Sequence, residues 1–215
     1  MAGDGRRSGL ELYSDPDGID GHRVRLFLAE KGVAARVRWT RAGAADVAAL
    51  GPYASVPTLV DRGLALYGTR AILEYVDERH PHPPFMPDDP VSRARARLAL
   101  HRVETDWYSL VPEPTELARR DAPHARLAPE ARAERLAASL AASAEVFDAM
   151  PFFLSPGYSI LDATVVPLLW RLPRYGIVTE QVGPSVAAYA TRMFARPGFG
   201  ASLSADERDE GGWRR

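Results

Sequence analysis

The sequence predicts an α/β unit followed by an all-α unit, and three observations carry that prediction. Short apolar runs punctuated by Gly, Pro and Asp fill the first 80 residues. The proline-dense stretch "HPHPPFMPDDP" then interrupts them. Beyond it the apolar residues recur at helical spacing. With 215 residues, 46% of them apolar, the chain is long enough to build two small units on a real core.

Taken in order, residues 10–14, "LELYS", alternate apolar and polar as a strand does. A loop with Asp15, Asp17 and Gly18 leads to a helix over 21–31, with Val24, Phe27 and Leu28 on one side. Residues 36–40 alternate again through Val37 and Trp39, and 46–50 make a helical turn. The runs 58–61 and 64–67 flank Arg62-Gly63, which is a hairpin signal. Ile72, Leu73 and Val76 form the apolar stripe of a helix over 69–79. The order β-α-β-α-β-β-α is that of a thioredoxin-like domain over 10–80, a mixed sheet with helices on both faces. A proline-rich linker follows over 81–90, then an all-α domain over 91–203 with helices at 91–110, 129–150, 159–172 and 185–195. Ser159 and Asp162, three apart ahead of an apolar run, read as a capping box that stabilises the third of these helices. Four prolines and a run of charges make 112–129 a loop. Residues 1–9 read as a disordered start and 204–215 as a frayed polar tail.

Composition narrows the chemistry. Basic residues number 27 against 28 acidic, a net charge of −1, so the backbone of a nucleic acid is not the expected main partner. Lys31 is the only lysine. The absence of cysteine excludes disulfides, thiolate nucleophiles and thiolate metal sites. The five histidines show no metal-ligand spacing, so no metal or cofactor is expected. No apolar leader core and no membrane-length apolar run is present, which points to a cytoplasmic protein.

The blocks "HRVRLFLAEKG", "SVPTLVDRGLALYGTRAILEYVDERHPHPPFMP", "HRVETDWYSL", "YSILDATVVPLLWRLPRYGI" and "SLSADER" carry a resemblance that spans about residues 10–203. Through them the chain resembles the glutathione transferase superfamily and, within it, the stringent starvation protein A group of RNA-polymerase-associated proteins. "ERHPHPPFMP", "HRVETDWY" and "LLWRLPRYGI" are similar to that group in particular. The resemblance implies the glutathione transferase fold and a Val56–Pro57 peptide in the cis form, whose backbone faces a peptide-like ligand; sequence alone would favour a trans proline opening a strand.

A glutathione transferase needs a hydroxyl or thiol donor near the start of its first helix to hold a thiolate. In bacterial members of the superfamily that donor lies seven residues before the arginine matched here by Arg25, and the count lands on Gly18. Asp15, Asp17 and Asp20 would repel a thiolate besides. Tyr13 and Ser14 remain as donors, or as a packing residue and a loop cap. The superfamily's acidic or amide residue before a serine, which captures the γ-glutamyl end, is matched by Gly68-Thr69. Thr69 can cap its helix and receive a carboxylate. Gly68 offers a ligand ammonium nothing, and one such lost bond is worth about 1.5–3 kcal/mol. Tyr13, Ser14, Val56, Pro57 and Thr69 therefore read as a vestigial thiol-ligand cleft, with no catalytic residue.

Function then moves to Pro81, His82, Pro83 and Pro84. Prolines on both sides of His82 remove N–H donors and hold the backbone extended, so the run stays out of helix and sheet. By itself it is also a stiff interdomain linker. The resemblance makes Pro81, His82 and Pro83 a surface that touches bacterial RNA polymerase, core or sigma factor, in a homodimer with only secondary DNA contact. Phe85 is an apolar anchor beside them or a core residue. On the helix from residue 91, Arg93, Arg97 and Glu104 suit either a two-fold interface or a solvated face. The rival class is a glutathione- or other thiol-dependent transferase.

Overall fold

In the computed structural model, which describes residues 9–112 and 127–210, strand β1 (Leu10–Ser14) lies inside a four-stranded sheet of order β2-β1-β3-β4. The expected disordered start up to residue 8, residues 113–126 of the expected loop and residues 211–215 lie outside the described residues. Strand β2 (Ala35–Trp39) runs parallel to β1, with Ser14 opposite Trp39. Strand β3 (Thr58–Asp61) is antiparallel to β1, with Leu12 opposite Leu59, and β4 (Leu64–Tyr67) closes the hairpin. The inner strands carry the fully buried Leu12 and Leu59, whereas the edge strands leave Trp39, Leu64 and Tyr67 in solvent.

Helix α1 (Ile19–Lys31) makes the parallel crossover and ends at Gly32, whose φ of 67° terminates it. The sequence gives it one apolar side; the structure buries it all round. It packs against the sheet's helix α3 (Thr69–Arg79) and against α7 (Ile160–Arg171) and α10 (Pro197–Ser202) of the helical domain. Its polar residues Asp20, His22, Arg23, Arg25 and Lys31 are consequently buried, and each needs a partner. Arg23 finds Glu104 at 2.9 Å and Asp20 at 3.3 Å, and lies over the Tyr108 ring. The short turn α2 (Ala45–Ala48) buries Val47 alone.

The helical domain opens with α4 (Pro90–Asp106), capped by the Asp89 carboxylate, which accepts from the Ser92 N–H at 2.8 Å. A 3₁₀ turn over Tyr108–Leu110 replaces the last turn expected of this helix. The helix expected over 129–150 is two, α5 (Pro129–Ala142) and α6 (Ala144–Asp148). They part at Ser143, whose hydroxyl donates to the Ser139 carbonyl. α8 (Thr179–Val182), α9 (Pro184–Phe194) and α11 (Ala205–Glu210) complete the chain. α11 corrects the expected frayed tail: Ser204 and Glu207 are buried, so up to residue 210 the tail is part of the fold.

α7 is the central helix, and its start is built as expected. The Asp162 carboxylate accepts from the N–H groups of Ser159 (2.8 Å) and Phe153 (2.9 Å) and from the Tyr189 hydroxyl (2.7 Å). The Ser159 hydroxyl accepts from the Leu161 N–H in return. Asp162→Ala leaves these donors buried without a partner, and we expect a loss of about 3 kcal/mol in stability. It is read as a lower urea midpoint at unchanged slope, and a loss below about 1 kcal/mol would refute the assignment.

Candidate functional site

The sheet register gathers most of the expected cleft at one end of the sheet. Tyr13 pairs with Thr58, next to the cis Val56–Pro57 peptide, and Thr58 pairs with Tyr67, two residues before Thr69. The cis form is the one the resemblance implies. Ser14 follows Tyr13 but points to the other face, as strand alternation requires, and is fully buried.

That burial removes Ser14 from the donors. Its hydroxyl gives its one proton to the Asp15 carbonyl at 3.0 Å and accepts from Arg25 Nη1. Gly18, where the superfamily's donor is matched, sits at the N-cap of α1. A Cβ there would lie 1.9 Å from Asp15 Oδ2, so the Asp15 carboxyl already fills the room of a side chain. Gly21 is equally closed, since its Cβ would come 2.4 Å from Ser14 Oγ. Burial raises the Asp15 pKa against the pull of Arg25.

The expected repulsion of a thiolate by three aspartates is weaker than the sequence suggests. Asp17 meets Arg41 at 3.3 Å and Asp20 meets Arg23 at 3.3 Å, while Arg25 donates to the Asp15 carbonyl at 2.9 Å. What the region lacks is a free hydroxyl at positions 14 and 18. At the other expected contact, Gly68 has a φ of 89° and Thr69 is the first helical residue of α3, not its cap. The carbonyl of Gly68 accepts from the Ile72 N–H at 3.0 Å. Thr69 is buried.

Behind this loop the C-terminal segment is bolted down. Glu207 takes both oxygens to Arg25 Nη2, at 2.7 and 2.8 Å, and also accepts from Arg171. Arg171 reaches the Asp17 carbonyl at 3.2 Å, and the Ser204 hydroxyl donates to the Pro16 carbonyl. Ser204 and Glu207 form a reciprocal cap, the hydroxyl accepting from the Glu207 N–H and the carboxylate from the Ser204 N–H. His22 joins them: Nδ1 accepts from Arg171 at 2.9 Å, so Nε2 carries the proton and gives it to Ser202 Oγ at 2.9 Å.

Pro81, His82, Pro83 and Pro84 are all exposed. The run bends at His82 and Pro83, whose peptide is cis, and so is not extended as the prolines alone suggest. Its base is buried. Lys31 Nζ donates to Asp77 Oδ1 at 2.6 Å and to the Pro83 carbonyl. Asp77 also accepts from the N–H groups of Phe85 (2.9 Å) and Met86 (3.0 Å). Phe85 is core, edge-on to Phe27 and against Tyr158, and its carbonyl accepts from the Ile160 N–H at 3.0 Å. Sequence reasoning noted the single lysine without placing it and missed Asp77.

Three charges on α4 are paired within the chain. Arg97 pairs with Glu74 at 2.6 Å, Arg93 with Glu78 at 3.3 Å and Glu104 with Arg23. They join α4 to α3 and α1; Glu104 is drawn inward by Arg23, while Arg97 stays exposed. Trp107 is core and donates through Nε1 to Ser139 Oγ at 3.0 Å.

Comparison with known proteins agrees with this geometry. Residues 21–79 match the family model "Glutathione S-transferase, N-terminal domain". A stringent starvation protein A homolog of Haemophilus ducreyi is 40% identical over 201 residues, covering 92% of this chain and 91% of that protein. One of Coxiella burnetii is 39% identical over 207 residues, covering 95% and 96%. The solved maleylacetoacetate isomerase of Anaeromyxobacter dehalogenans, with GSH bound in its active site, is 28% identical at a TM-score of 0.69, covering 91% of this chain and 94% of that one. Among the described residues no helix is long and apolar enough to cross a membrane.

The buried His22 makes stability pH-dependent. Burial, reinforced by the charges of Arg171 and Arg25, holds its pKa well below the ordinary 6.5. Below that pH the unfolded chain takes up a proton that the folded chain refuses, so stability falls as pH drops. His22→Gln, which never takes a charge, should flatten this fall by about 1 kcal/mol per pH unit between about pH 6 and 5. Urea unfolding across that window measures it, and equal slopes in the two proteins would contradict it.

Proposed function

The chain belongs to the stringent starvation protein A family and carries the glutathione transferase fold, and from that premise we propose that it is a non-catalytic regulator that docks on bacterial RNA polymerase. The docking surface is Pro81, His82, Pro83 and Pro84, and the contacted partner is the core enzyme or its sigma factor. The observation that carries this reading is the pairing of an exposed four-residue run with a buried ionic base. Three prolines and an anchored carbonyl leave this run little conformational entropy to lose on binding, so its contacts convert to affinity with small cost. His82 supplies the donor and acceptor of an imidazole, which the flanking prolines lack.

Transcription is altered by contact, with no chemistry by this chain. Ser14 is occupied, Gly18 has no side chain to donate and Gly68 brings no group to a ligand amine. A homodimer belongs to the same reading and doubles the docking surface. DNA contact is secondary, in line with a net charge of −1. The cytoplasm is where such a partner is met.

A second reading is favoured by one observation: a solved relative at 28% identity holds GSH, and here the sheet brings Tyr13, Val56, Pro57 and Thr69 to one end. On that reading the chain is a glutathione- or other thiol-dependent transferase with Tyr13 as donor.

Two measurements separate them. Polymerase holoenzyme should co-purify with the wild-type protein, and His82→Ala should lower its retention at least about tenfold with fold and oligomeric state unchanged. Equal retention by the variant would overturn the docking surface. The protein should also pass through a glutathione resin and leave a generic electrophile unconjugated; turnover that Tyr13→Phe abolishes would establish the transferase instead.

A further inference from the structure

We infer that Lys31 and Asp77 are positioning residues for the docking run, holding the backbone that presents His82; the inference rests on the docking reading above. The helix α3 ends with the His80 N–H on the Val76 carbonyl at 3.0 Å, and the next fixed N–H is that of Phe85, on Asp77. Everything exposed lies between those two bonds. Within the span His82 alone has an N–H to contribute, because 81, 83 and 84 are proline. The run therefore cannot hold itself by backbone pairing, and the hold has to come from outside it.

Lys31 supplies that hold. Its ammonium reaches into the run at the Pro83 carbonyl, the residue after His82, and binds Asp77 with a second proton. Its remaining side lies over the Phe85 ring, 4.5 Å from the centroid. The side chain is fully buried, at the C-terminal end of α1, where a cation is favoured by the helix dipole. Asp77 pins the chain after the run through Phe85 and Met86, and Phe85 is tied in turn to the start of α7. A lysine needed only for filling space would not be met by a carbonyl from the exposed run. Arg79, Arg93 and Arg97 pair instead with Asp61, Glu78 and Glu74.

Lys31→Met tests this. It keeps the length and the apolar contacts with Phe27 and Phe85, and leaves Asp77 with two N–H donors, so the fold should persist. Titration against immobilised polymerase holoenzyme, at a temperature where every variant is folded, should show affinity reduced about tenfold. Lys31→Arg, whose guanidinium can still serve a carboxylate and a carbonyl, should recover most of it. In a His82→Ala background Lys31→Met should cause little further loss, since it acts through His82; a role in stability alone would give additive effects. The His82 ring resonances in solution NMR should move in Lys31→Met. Binding by Lys31→Met within twofold of wild type, beside a His82→Ala that fails to bind, would overturn the positioning role and leave the docking surface standing. If wild type binds no polymerase, the docking reading fails by itself, and the ring resonances decide the positioning: moved, they uphold it, and unmoved, they overturn it.

Discussion

The carboxylate of Asp77 is the point on which the domain junction turns. One oxygen meets Lys31 from the end of α1 and the Phe85 N–H, and the other meets the Met86 N–H. Through Phe85 the same group reaches Ile160 at the start of α7, whose own first turn is held by Asp162. A helix of the sheet domain, the linker and the central helix of the second domain are thus joined through one buried acid. Buried pairs of this kind contribute little compared with an apolar alternative, yet losing one member costs about 3–5 kcal/mol. Their value lies in fixing geometry, and here the geometry fixed is that of the exposed run beside them.

A second buried acid, Glu207, makes a similar junction at the middle of α1. It binds Arg25 and Arg171 together, and Arg25 is also what occupies Ser14. Residues 204–210 and the β1–α1 loop are therefore one unit: Ser14 is already bound to the arginine that holds α11. Asp15 fills the space over Gly18 in the same manner. A fold does not by itself carry a chemistry, and the polar side chains of α1 are engaged in buried pairs.

Local signals in the sequence carried most of the fold. The alternation in "LELYS" and the Arg62-Gly63 turn need only near neighbours to be read, and Ser159 with Asp162 sits three apart ahead of an apolar run. Ser204 and Glu207 have the same spacing and could have revealed α11, but no apolar run follows them, so the charges read as a tail. α1 was legible as a helix and illegible as a buried one, because what covers its polar residues comes from as far along the chain as Asp77, Glu104, Thr164, Arg171 and Glu207. Gly18 was reached by counting back from Arg25, and Gly68 by matching the pair that the resemblance implies. The occupation of Ser14 and the roles of Lys31 and Asp77 were beyond sequence, since each depends on which arginine or carbonyl the tertiary fold brings near.

On the docking reading, this molecule meets its partner through the pinned proline-histidine run and leaves the thiol cleft idle. Hydrogen-exchange mass spectrometry of the protein with and without polymerase holoenzyme tests it most directly. Protection on binding should concentrate in peptides that contain His82 and the Phe85–Met86 amides, with those over 13–14, 56–58 and 69–72 unchanged. Protection confined to the cleft peptides, or none anywhere under saturating polymerase, would contradict it.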